Sequence, residues 1–511
     1  MKRDSATTSL WQTGIDDYVS ANASSQEEVY DVLIAGGGIT GITTALLLQQ
    51  AGKKVLLAEA HSLCFGTTGG TTGHINTFLD TSYDIIESKF SKEAAQLVAK
   101  ATEEAGQLFR QHVKQYTIDC GFEVQDGYVY AQTPEQVEQL DKMLAAAKAV
   151  GIDADEAPET PVPIGFQKAI VYRGQAQLHP SRYVVALAKA FEAMGGVIIQ
   201  NTLIKEADEK DGVLTIKTDK AETYKVKALV WATHIPPGKN ILHLRNAPYR
   251  SYAIAVKLEH DSYPIGLAYD SYDPYHYYRT QEIDGEKYLI IGGEDHKTGH
   301  EENTHACFNR LIAHSRTFFN IKEITHHWSS QYFEPADGLA YIGHLPGNPA
   351  NVYVATGFGG NGITYSHIAA KILSDLIVKG DSEYKDLFAP SRIKPIAGFV
   401  EFVKENADVV KEFVGRRISV EKIEGLSALA HGEAKVVKYE GEKIALYKDD
   451  GGRIHALNPV CPHLKCIVAW NSAEKTWDCP CHGGRFSADG EVLTGPARGP
   501  LEKIDIEKLS S

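Results

Sequence analysis

Residues 29–60 read VYDVLIAGGGITGITTALLLQQAGKKVLLAEA. The apolar, β-branched run that ends at Ala35 predicts a strand, the following Ala-, Leu- and Gln-rich segment predicts a helix, and KVLLAEA predicts a second strand. Between the first strand and the helix the glycines keep the G-x-G-x-x-G spacing. Gly36 permits a tight turn, Gly38 lets the backbone approach a pyrophosphate, and Gly41 lets the helix pack close to the strand. This order of parts predicts an α/β dinucleotide-binding domain.

An acidic residue completes the pattern. Glu59 ends the second strand about 20 residues after the glycines, where a carboxylate can accept hydrogen bonds from ribose hydroxyls. The phosphates would lie on unpaired N–H groups at the N-terminus of the helix. A glycine-rich turn that serves packing alone is the alternative, and the full order of strand, glycines, helix, strand and acid favours the nucleotide. The motif does not distinguish FAD from NAD.

Length and composition limit the possible classes of protein. A chain of 511 residues predicts two or three domains, and 43% hydrophobic with 23% charged residues is typical of globular proteins. The formal net charge of -14 disfavours nucleic acid as a partner. The N-terminus has no apolar signal region, and no uncharged apolar run of about 18 residues occurs. We therefore expect a cytoplasmic protein without a transmembrane segment.

Two later segments bear on the identity of the cofactor. Residues 227–237, KALVWATHIPP, predict a buried strand, and residues 351–377 predict a strand that runs through a glycine-rich loop into a helix. Together with residues 29–60 they resemble the D-amino-acid-oxidase-like family of FAD-dependent oxidoreductases, over residues 29–390. The resemblance implies that a Rossmann-like domain binds FAD. The residues that would contact FAD are Gly36, Gly38, Gly41, Glu59, Thr67, Thr68, Ile204, Gly360, Asn361, Gly362, Ile363 and Thr364.

The same resemblance implies oxidation of an amine or amino acid by transfer of a hydride to the flavin. It also predicts a substrate subdomain with an antiparallel sheet, formed by residues 75–225 and 240–340. The apolar and aromatic residues of 249–260 and 275–280 alternate as they do in strands.

Within this subdomain the sequence offers five candidate substrate-contacting residues. Arg279 is a candidate for binding a substrate carboxylate, and Tyr252, Tyr277 and Tyr278 are candidates for the aromatic walls of an amine site. His179 is a candidate proton acceptor. A solvated strand position for Arg279 and a structural role for His179 remain alternatives.

Three further segments complete the predicted domain organisation. Residues 1–28 form an N-terminal segment that precedes the flavin domain. Residues 391–417 include apolar positions at helical spacing and predict a linker helix. Residues 435–460 alternate apolar and polar positions between Gly-containing turns, which predicts a small all-β domain over residues 418–511.

The cysteines are concentrated in this last domain. Four of the seven lie in residues 461–486, CPHLKCIVAWNSAEKTWDCPCHGGRF, which also contain two histidines. The paired loops CPHLKC and CPCHGGRF match the C-x-H and C-x-x-H ligand pattern of a Rieske [2Fe–2S] centre. A structural zinc site is the alternative, because zinc also binds Cys and His in small domains. The spacing of the two loops and their prolines and glycines favour the iron-sulfur cluster.

Residues 418–511 as a whole resemble a Rieske domain. By this resemblance Cys461 and Cys479 bind one iron, and His463 and His482 bind the other, with the histidine edge of the cluster at the surface. The remaining two cysteines of these loops, Cys466 and Cys481, occupy the positions of the disulfide found in Rieske proteins of the cytochrome bc complexes.

One departure from those respiratory proteins affects the cluster potential. They carry Ser and Tyr hydroxyls that donate hydrogen bonds to sulfur, where this chain has Gly484 and Phe486. The loss of two donors destabilises the reduced cluster. We therefore expect a potential in the lower part of the range of about −150 to +300 mV that Rieske centres span.

A flavin that accepts two electrons and a cluster that accepts one indicate a flavin-dependent dehydrogenase with an external acceptor, either a protein or a quinone. An NAD(P)H-dependent reductase that supplies a partner is the first alternative, although only one nucleotide fingerprint is visible. A redox sensor without turnover is the second. A Rieske oxygenase is disfavoured, because no separate domain for a mononuclear iron is evident.

Overall fold

The computed structural model describes residues 1, 3–393, 421–422 and 429–506 of the chain. The predicted linker helix at 391–417 lies outside these residues, apart from 391–393. Within the described residues the helices are α1 (Ile39–Gln50), α2 (Thr67–Gly70), α3 (Tyr83–Lys89), α4 (Lys92–Gln115), α5 (Pro134–Ala149), α6 (Pro180–Ala193), α7 (Thr304–Phe318), α8 (Gly362–Lys379) and α9 (Lys385–Phe388), with a 3₁₀ turn at Ile241–Leu244.

The strands before residue 393 are β1 (Val29–Ala35), β2 (Val55–Ala58), β3 (His74–Ile75), β4 (Glu123–Ala131), β5 (Ala154–Glu156), β6 (Lys168–Gln177), β7 (Val197–Ile199), β8 (Ile204–Lys210), β9 (Val213–Thr218), β10 (Thr223–Trp231), β11 (Asn246–Leu258), β12 (Leu267–Asp270), β13 (Tyr277–Ile283), β14 (Glu286–Lys297), β15 (Ile321–Pro335), β16 (Tyr341–His344) and β17 (Val352–Thr356). The later strands are β18 (Glu421–Lys422), β19 (Ala434–Tyr439), β20 (Glu442–Lys448), β21 (Ile454–Leu457), β22 (Ala469–Asn471), β23 (Thr476–Asp478), β24 (Arg485–Ser487) and β25 (Val492–Thr494).

The flavin sheet has the strand order β16-β17-β10-β1-β2-β7, and β9 joins β8 to β10. Strands β17, β10, β1, β2 and β7 run parallel, and α1 packs against α6 and α8 on one face. The all-apolar, fully buried β2 fits a parallel strand that is covered on both faces. The predicted α/β domain is confirmed, and the glycine turn lies at the carboxyl end of its central strand.

The substrate sheet has nine strands in the order β15-β11-β14-β13-β12-β4-β6-β3, with β5 paired to β6. It is antiparallel except where β12 runs parallel to β4. The predicted first segment of the subdomain, 75–225, extends too far: residues 197–218 form β7, β8 and β9, which pair within the flavin sheet. The physical reason is that β7 pairs with β2 and extends the parallel part of the flavin sheet. Strands β8, β9 and β10 then form an antiparallel meander that belongs to the same sheet.

The C-terminal domain consists of two four-stranded sheets, β18-β19-β20-β21 and β22-β23-β24-β25. The loops 461–466 and 479–484 adjoin the second of them. Among the described helices, none combines the length and the apolar character needed to cross a bilayer.

Candidate functional site

A cavity of about 1040 Å³ is lined by residues of the flavin sheet, the substrate sheet and the C-terminal domain. The structure brings the FAD candidates together at this cavity, with the exception of Gly41. Those on the wall are Gly36, Gly38, Glu59, Thr67, Thr68, Ile204, Gly360, Asn361, Gly362, Ile363 and Thr364.

The glycine turn packs as the spacing predicts. Gly36 has φ +115°, and a Cβ atom there would lie 2.4 Å from the oxygen of Ala232. A Cβ atom on Gly41 would lie 1.9 Å from the oxygen of Gly36, so Gly41 lets α1 approach the turn without itself reaching the cavity. Helix α1 begins after Gly38 with no side-chain cap and no acidic residue in its first turn, which leaves its N-terminus suited to a phosphate.

Glu59 lies half-buried directly after β2. Its Oε2 accepts a hydrogen bond from the N–H of Gly37 (2.6 Å), and its Oε1 accepts one from the N–H of His61 (2.9 Å). Burial raises the pKa of Glu59, and these backbone donors oppose the shift. The carboxylate is therefore held in a fixed orientation on the cavity wall, as a ribose acceptor would need to be.

Hydroxyls connect the loop after β2 to its neighbours. Thr68 Oγ1 accepts from the N–H of Ile39 (3.1 Å), and Thr67 Oγ1 donates to the oxygen of Gln331 (2.9 Å). Thr364, in the first turn of α8, donates from Oγ1 to the oxygen of Asn76 (3.0 Å). Backbone N–H groups at a helix start, hydroxyls and one acid are the groups that a dinucleotide requires, so the residues present fit FAD.

Arg279 does not reach this cavity, although sequence reasoning proposed that it binds a substrate carboxylate. Its side chain is fully buried, and Nη1 donates to the oxygens of Gly73 (2.7 Å) and Leu178 (3.3 Å). The guanidinium also lies 5.1 Å from the ring centre of Trp11. Burial lowers the pKa of Arg279 to about 9. These contacts give Arg279 a structural role behind the cavity wall.

The other candidates for substrate contact, apart from Tyr277, also lie off the wall. The hydroxyl of Tyr252 contacts His296 Nε2 (2.8 Å), and that of Tyr278 contacts His314 Nε2 (2.6 Å). His179 caps α6 by accepting from the N–H of Arg182 (3.3 Å), as in the structural alternative. Successive strand residues point to opposite faces, which explains why Tyr277 lines the cavity whereas its neighbour Tyr278 does not.

Tyrosines and acidic residues, rather than these candidates, form one wall of the cavity. The residues of this wall are Tyr249, Tyr269, Tyr275, Tyr277 and Tyr332 with Asp80, Asp295 and Glu334. Of these, only Tyr277 was a candidate from the sequence. The alternation of side chains along a strand could have indicated these residues from the sequence. Tyr249, Ser251 and Ala253 occupy every second position of β11, and all three line the cavity.

The predicted cluster ligands converge in the C-terminal domain. Cys461 and Cys479 are almost fully buried, and the rings of His463 and His482 lie 5.0 Å apart between centres. The Nδ1 atoms of both histidines are buried and have no hydrogen-bond partner among the described residues. Two buried thiols beside two imidazole nitrogens without partners fit a Rieske cluster.

The remaining cysteines of the two loops form a disulfide. Cys466 and Cys481 have an S–S distance of 1.95 Å and a Cα–Cα distance of 6.5 Å. Their Sγ atoms and that of Cys479 lie within 4.8 Å of one another. The pairing that the resemblance implied is therefore present beside the cluster site, and it joins the two ligand loops.

The expectation that the histidine edge lies at the surface is wrong. His463 and His482 are 7% and 4% exposed, because this edge packs against the flavin domain. His463 Nε2 donates to the oxygen of Gly238 (3.0 Å), and the ring of His243 lies 4.6 Å from that of His463. The predicted electron exit at this edge is closed to solvent.

Buried charges hold the C-terminal domain in this position. Arg485 forms ion pairs with Asp478 and with Asp4 of the N-terminal segment, and Arg250 of β11 pairs with Asp478 (3.5 Å). Although burial alone would raise them, the guanidinium of Arg485 holds the pKa values of Asp4 and Asp478 below their usual range. No local sequence pattern indicates this cluster, because Asp4 and Arg250 lie far from Asp478 and Arg485 along the chain.

Comparison with known proteins agrees with the fold and both sites. Residues 31–376 match the profile of the FAD dependent oxidoreductase family (DAO), and residues 420–505 match that of the Rieske [2Fe-2S] domain. The chain belongs to this family of FAD-dependent oxidoreductases and carries a C-terminal Rieske domain. Its cofactors are FAD and a [2Fe–2S] cluster, which sets aside the zinc alternative.

A full-length relative has the same architecture. The YhfW protein of Bacillus subtilis (strain 168) is 33% identical over 507 residues, covering 98% of each chain. Gamma-glutamylputrescine oxidoreductase of Escherichia coli (strain K12) is 22% identical over 408 residues, covering 77% of this chain and 93% of its own. Glycine oxidase from Geobacillus kaustophilus shares the fold, with a TM-score of 0.60, 18% identity, and coverage of 71% of this chain and 99% of its own.

Proposed function

We propose that the protein is an amine or amino-acid dehydrogenase whose electrons pass by way of FAD and the Rieske cluster to an external one-electron acceptor, either a protein or a quinone. The position of Gln331 is the main support. Its backbone oxygen accepts from Thr67 on the cavity wall, while its side-chain Nε2 donates to the oxygen of Gly483 (2.9 Å), next to the ligand His482. One residue thus contacts both the flavin site and the cluster loop.

The proposed oxidation balances in atoms, electrons and charge. FAD supplies an acceptor for the hydride of the C–H bond beside nitrogen, and the cluster supplies a one-electron carrier. A primary ammonium, R–CH₂–NH₃⁺, becomes an iminium, R–CH=NH₂⁺, with release of two electrons and two protons. A one-electron acceptor is therefore reduced twice per substrate. On the protein side, Asp80 and Asp295 are carboxylates of the cavity wall that can receive the amine proton.

Two alternative functions can each be tested. An NAD(P)H-dependent reductase needs a second nucleotide site, whereas the sequence has one fingerprint, in residues 29–60. A redox sensor would hold both cofactors without sustained reduction by a small molecule. The cytoplasmic location stays a prediction that fractionation of the native cells would test.

The deciding experiment is anaerobic mixing of the purified holoprotein with amines, amino acids, NADH and NADPH while the flavin and cluster absorbances are recorded. We expect an amine or amino acid to bleach the flavin and then the cluster. Reduction by a nicotinamide alone would support the reductase instead, and the absence of reduction by every compound would support the sensor.

A further inference from the structure

The tyrosine and acid wall is organised around Asp80, Asp295 and Glu334. The N–H of Gly360 donates to Asp80 Oδ2 (2.8 Å), and the hydroxyl of Tyr275 contacts Asp80 Oδ1 (3.4 Å). A Cβ atom on Gly359 would lie 3.5 Å from both carboxylate oxygens of Glu334 and 3.3 Å from Asp80 Oδ2. These carboxylates therefore gather beside the loop that precedes α8.

Two oxygen atoms at the cavity, one of Asp295 and one of Asn76, accept no hydrogen bond from the described residues. Asp295 Oδ2 accepts a hydrogen bond from Tyr332 (2.8 Å), whereas its Oδ1 is buried and accepts none from the described residues. The same is true of Oδ1 of Asn76, a cavity residue that is 5% exposed and whose Nδ2 donates to Tyr269 (2.8 Å). A buried acceptor without a donor is costly, so both atoms require a ligand that carries N–H or O–H groups.

Aromatic rings surround these acceptors. The ring centres of Tyr275 and Tyr277 lie 5.8 Å apart, those of Tyr269 and Tyr275 lie 6.5 Å apart, and those of Tyr249 and Tyr332 lie 5.9 Å apart. The faces of such rings attract cations. Carboxylates, acceptors without donors and tyrosine faces all favour a positively charged ligand.

Among the described residues, this wall contains no Lys or Arg that could pair with a substrate carboxylate. Among the described residues that line the cavity, the only Lys and Arg residues are Lys205 and Arg498. They lie together next to Ile204, where Arg498 Nη1 donates to the oxygen of Lys205 (2.9 Å). Arg279 is enclosed behind the wall. Asp80, Asp295 and Glu334 would repel a carboxylate placed beside them, and no Lys or Arg among the described cavity residues lies there to pair with it.

We propose that the substrate is a cationic aliphatic amine without a carboxylate group, bound by the carboxylates and tyrosine rings of this wall. This inference rests on the proposed dehydrogenase function and narrows it. It assigns Asp295 and Glu334, both on the cavity wall, to recognition of the substrate charge.

Binding can be measured separately from turnover with two compounds of opposite charge. Butyltrimethylammonium has no nitrogen lone pair, so it cannot be oxidised by hydride loss, and hexanoate carries a carboxylate instead. Calorimetric titration of the FAD-loaded, full-length protein should give an affinity for the cation at least about tenfold above that for hexanoate. The variant Asp295→Asn should lose about tenfold or more of the cation affinity, and Glu334→Gln provides a second carboxylate variant if Asp295→Asn does not fold. Asp261→Asn is the matched control, since Asp261 is an exposed residue of the same domain that pairs with Lys287.

Measurements of turnover then distinguish a failure of the cationic-amine proposal from a failure of the proposed dehydrogenase function. Under anaerobic conditions, butylamine and 1,4-diaminobutane should bleach the flavin at least about tenfold faster than 4-aminobutanoate and glycine at equal concentration. Tighter binding of hexanoate, or bleaching by the amino acids alone, would overturn the cationic-amine proposal and leave the dehydrogenase standing. Bleaching by NADH or NADPH alone would overturn the dehydrogenase itself.

Discussion

His463 Nε2 lies 3.0 Å from the backbone oxygen of Gly238, so a ligand residue of the cluster is hydrogen-bonded directly to the flavin domain. His243 packs beside it and is itself fixed by a bond from Nε2 to the oxygen of Pro236 (2.8 Å). The histidine edge is thereby oriented toward the source of electrons in the proposed reaction. An external acceptor has to approach the C-terminal domain from another direction.

The substitution Gly484→Ser should raise the midpoint potential of the cluster. A Cβ atom on Gly484 would lie 3.8 Å from Cys461 Sγ, an ordinary contact, so a serine hydroxyl fits and can donate to sulfur. Hydrogen bonds to cluster sulfur stabilise the reduced state. Redox titration followed by electron paramagnetic resonance checks this, with Gly484→Ala as the control for added volume. An unchanged or lower potential in Gly484→Ser would contradict the prediction.

Thiol counting should find five free thiols in the unreduced, denatured protein. The disulfide of Cys466 and Cys481 removes two of the seven cysteines, and denaturation releases the cluster ligands Cys461 and Cys479 as thiols. The count should rise to seven after treatment with a reductant. Seven thiols before reduction would show that the two loops are not covalently joined.

The substitution Gly41→Ala should produce protein that lacks most of its flavin. The new Cβ atom would lie 1.9 Å from the oxygen of Gly36, so the glycine turn has to move away from the phosphate position. The ratio of flavin absorbance to protein absorbance measures the loss. Gly165→Ala is the control, because nothing lies within 4 Å of a Cβ atom at that position. A normal flavin ratio in Gly41→Ala would argue against a phosphate at this turn.

The substitution Arg485→Met should lower the free energy of unfolding by about 3–5 kcal/mol, since Asp4 and Asp478 lose the guanidinium between them in a buried site. The wild-type protein should also be sensitive to acid. The pKa values of both carboxyls are lowered in the folded state, so their stabilisation is complete above the unfolded value of 3.8 and is lost as the pH falls through the folded values.

Denaturant unfolding of Arg485→Met at neutral and acidic pH tests both statements. Arg453→Met, at an exposed position of the same domain, provides the control. We expect the stability difference between wild type and Arg485→Met to shrink in acid. A loss below 1 kcal/mol at neutral pH would mean that Arg3 and Arg250 neutralise the two carboxylates without Arg485.

The affinity for butyltrimethylammonium should increase as the pH rises through about 7. Burial raises the pKa of Asp295 to about 7, and the hydrogen bond from the Tyr332 hydroxyl opposes the shift. Below this pH the carboxyl is protonated and neutral, and above it a negative charge attracts the cation. Calorimetric titrations between pH 6 and 8 should show this trend in the wild type, and the trend should disappear in Asp295→Asn.

The sequence by itself indicated a dinucleotide site and a Cys/His centre, because their chemistry depends on residue types at short spacing, and the family resemblances then identified FAD and the [2Fe–2S] cluster. A turn at Gly36, a close approach at Gly41 and an acid at the end of the next strand are local requirements of a dinucleotide. Cys461, His463, Cys479 and His482 are likewise ligands in two short loops, and the disulfide joins the same loops. Such features can be predicted without knowing which strands are neighbours.

Only the tertiary structure decided which side chains face the substrate. Tyr277 and Tyr278 are adjacent in the sequence, and successive side chains of a strand point to opposite faces of the sheet. Tyr277 therefore lines the cavity, whereas Tyr278 contacts His314. Asp295 meets Tyr332 across separate strands of the substrate sheet, and Arg279 is closed off by backbone oxygens from distant loops. The histidine edge of the cluster is covered for the same reason. The docking of the two domains depends on contacts between residues far apart in the sequence, such as Gln331 with Gly483 at a separation of 152 and Gly238 with His463 at 225, which no local pattern encodes.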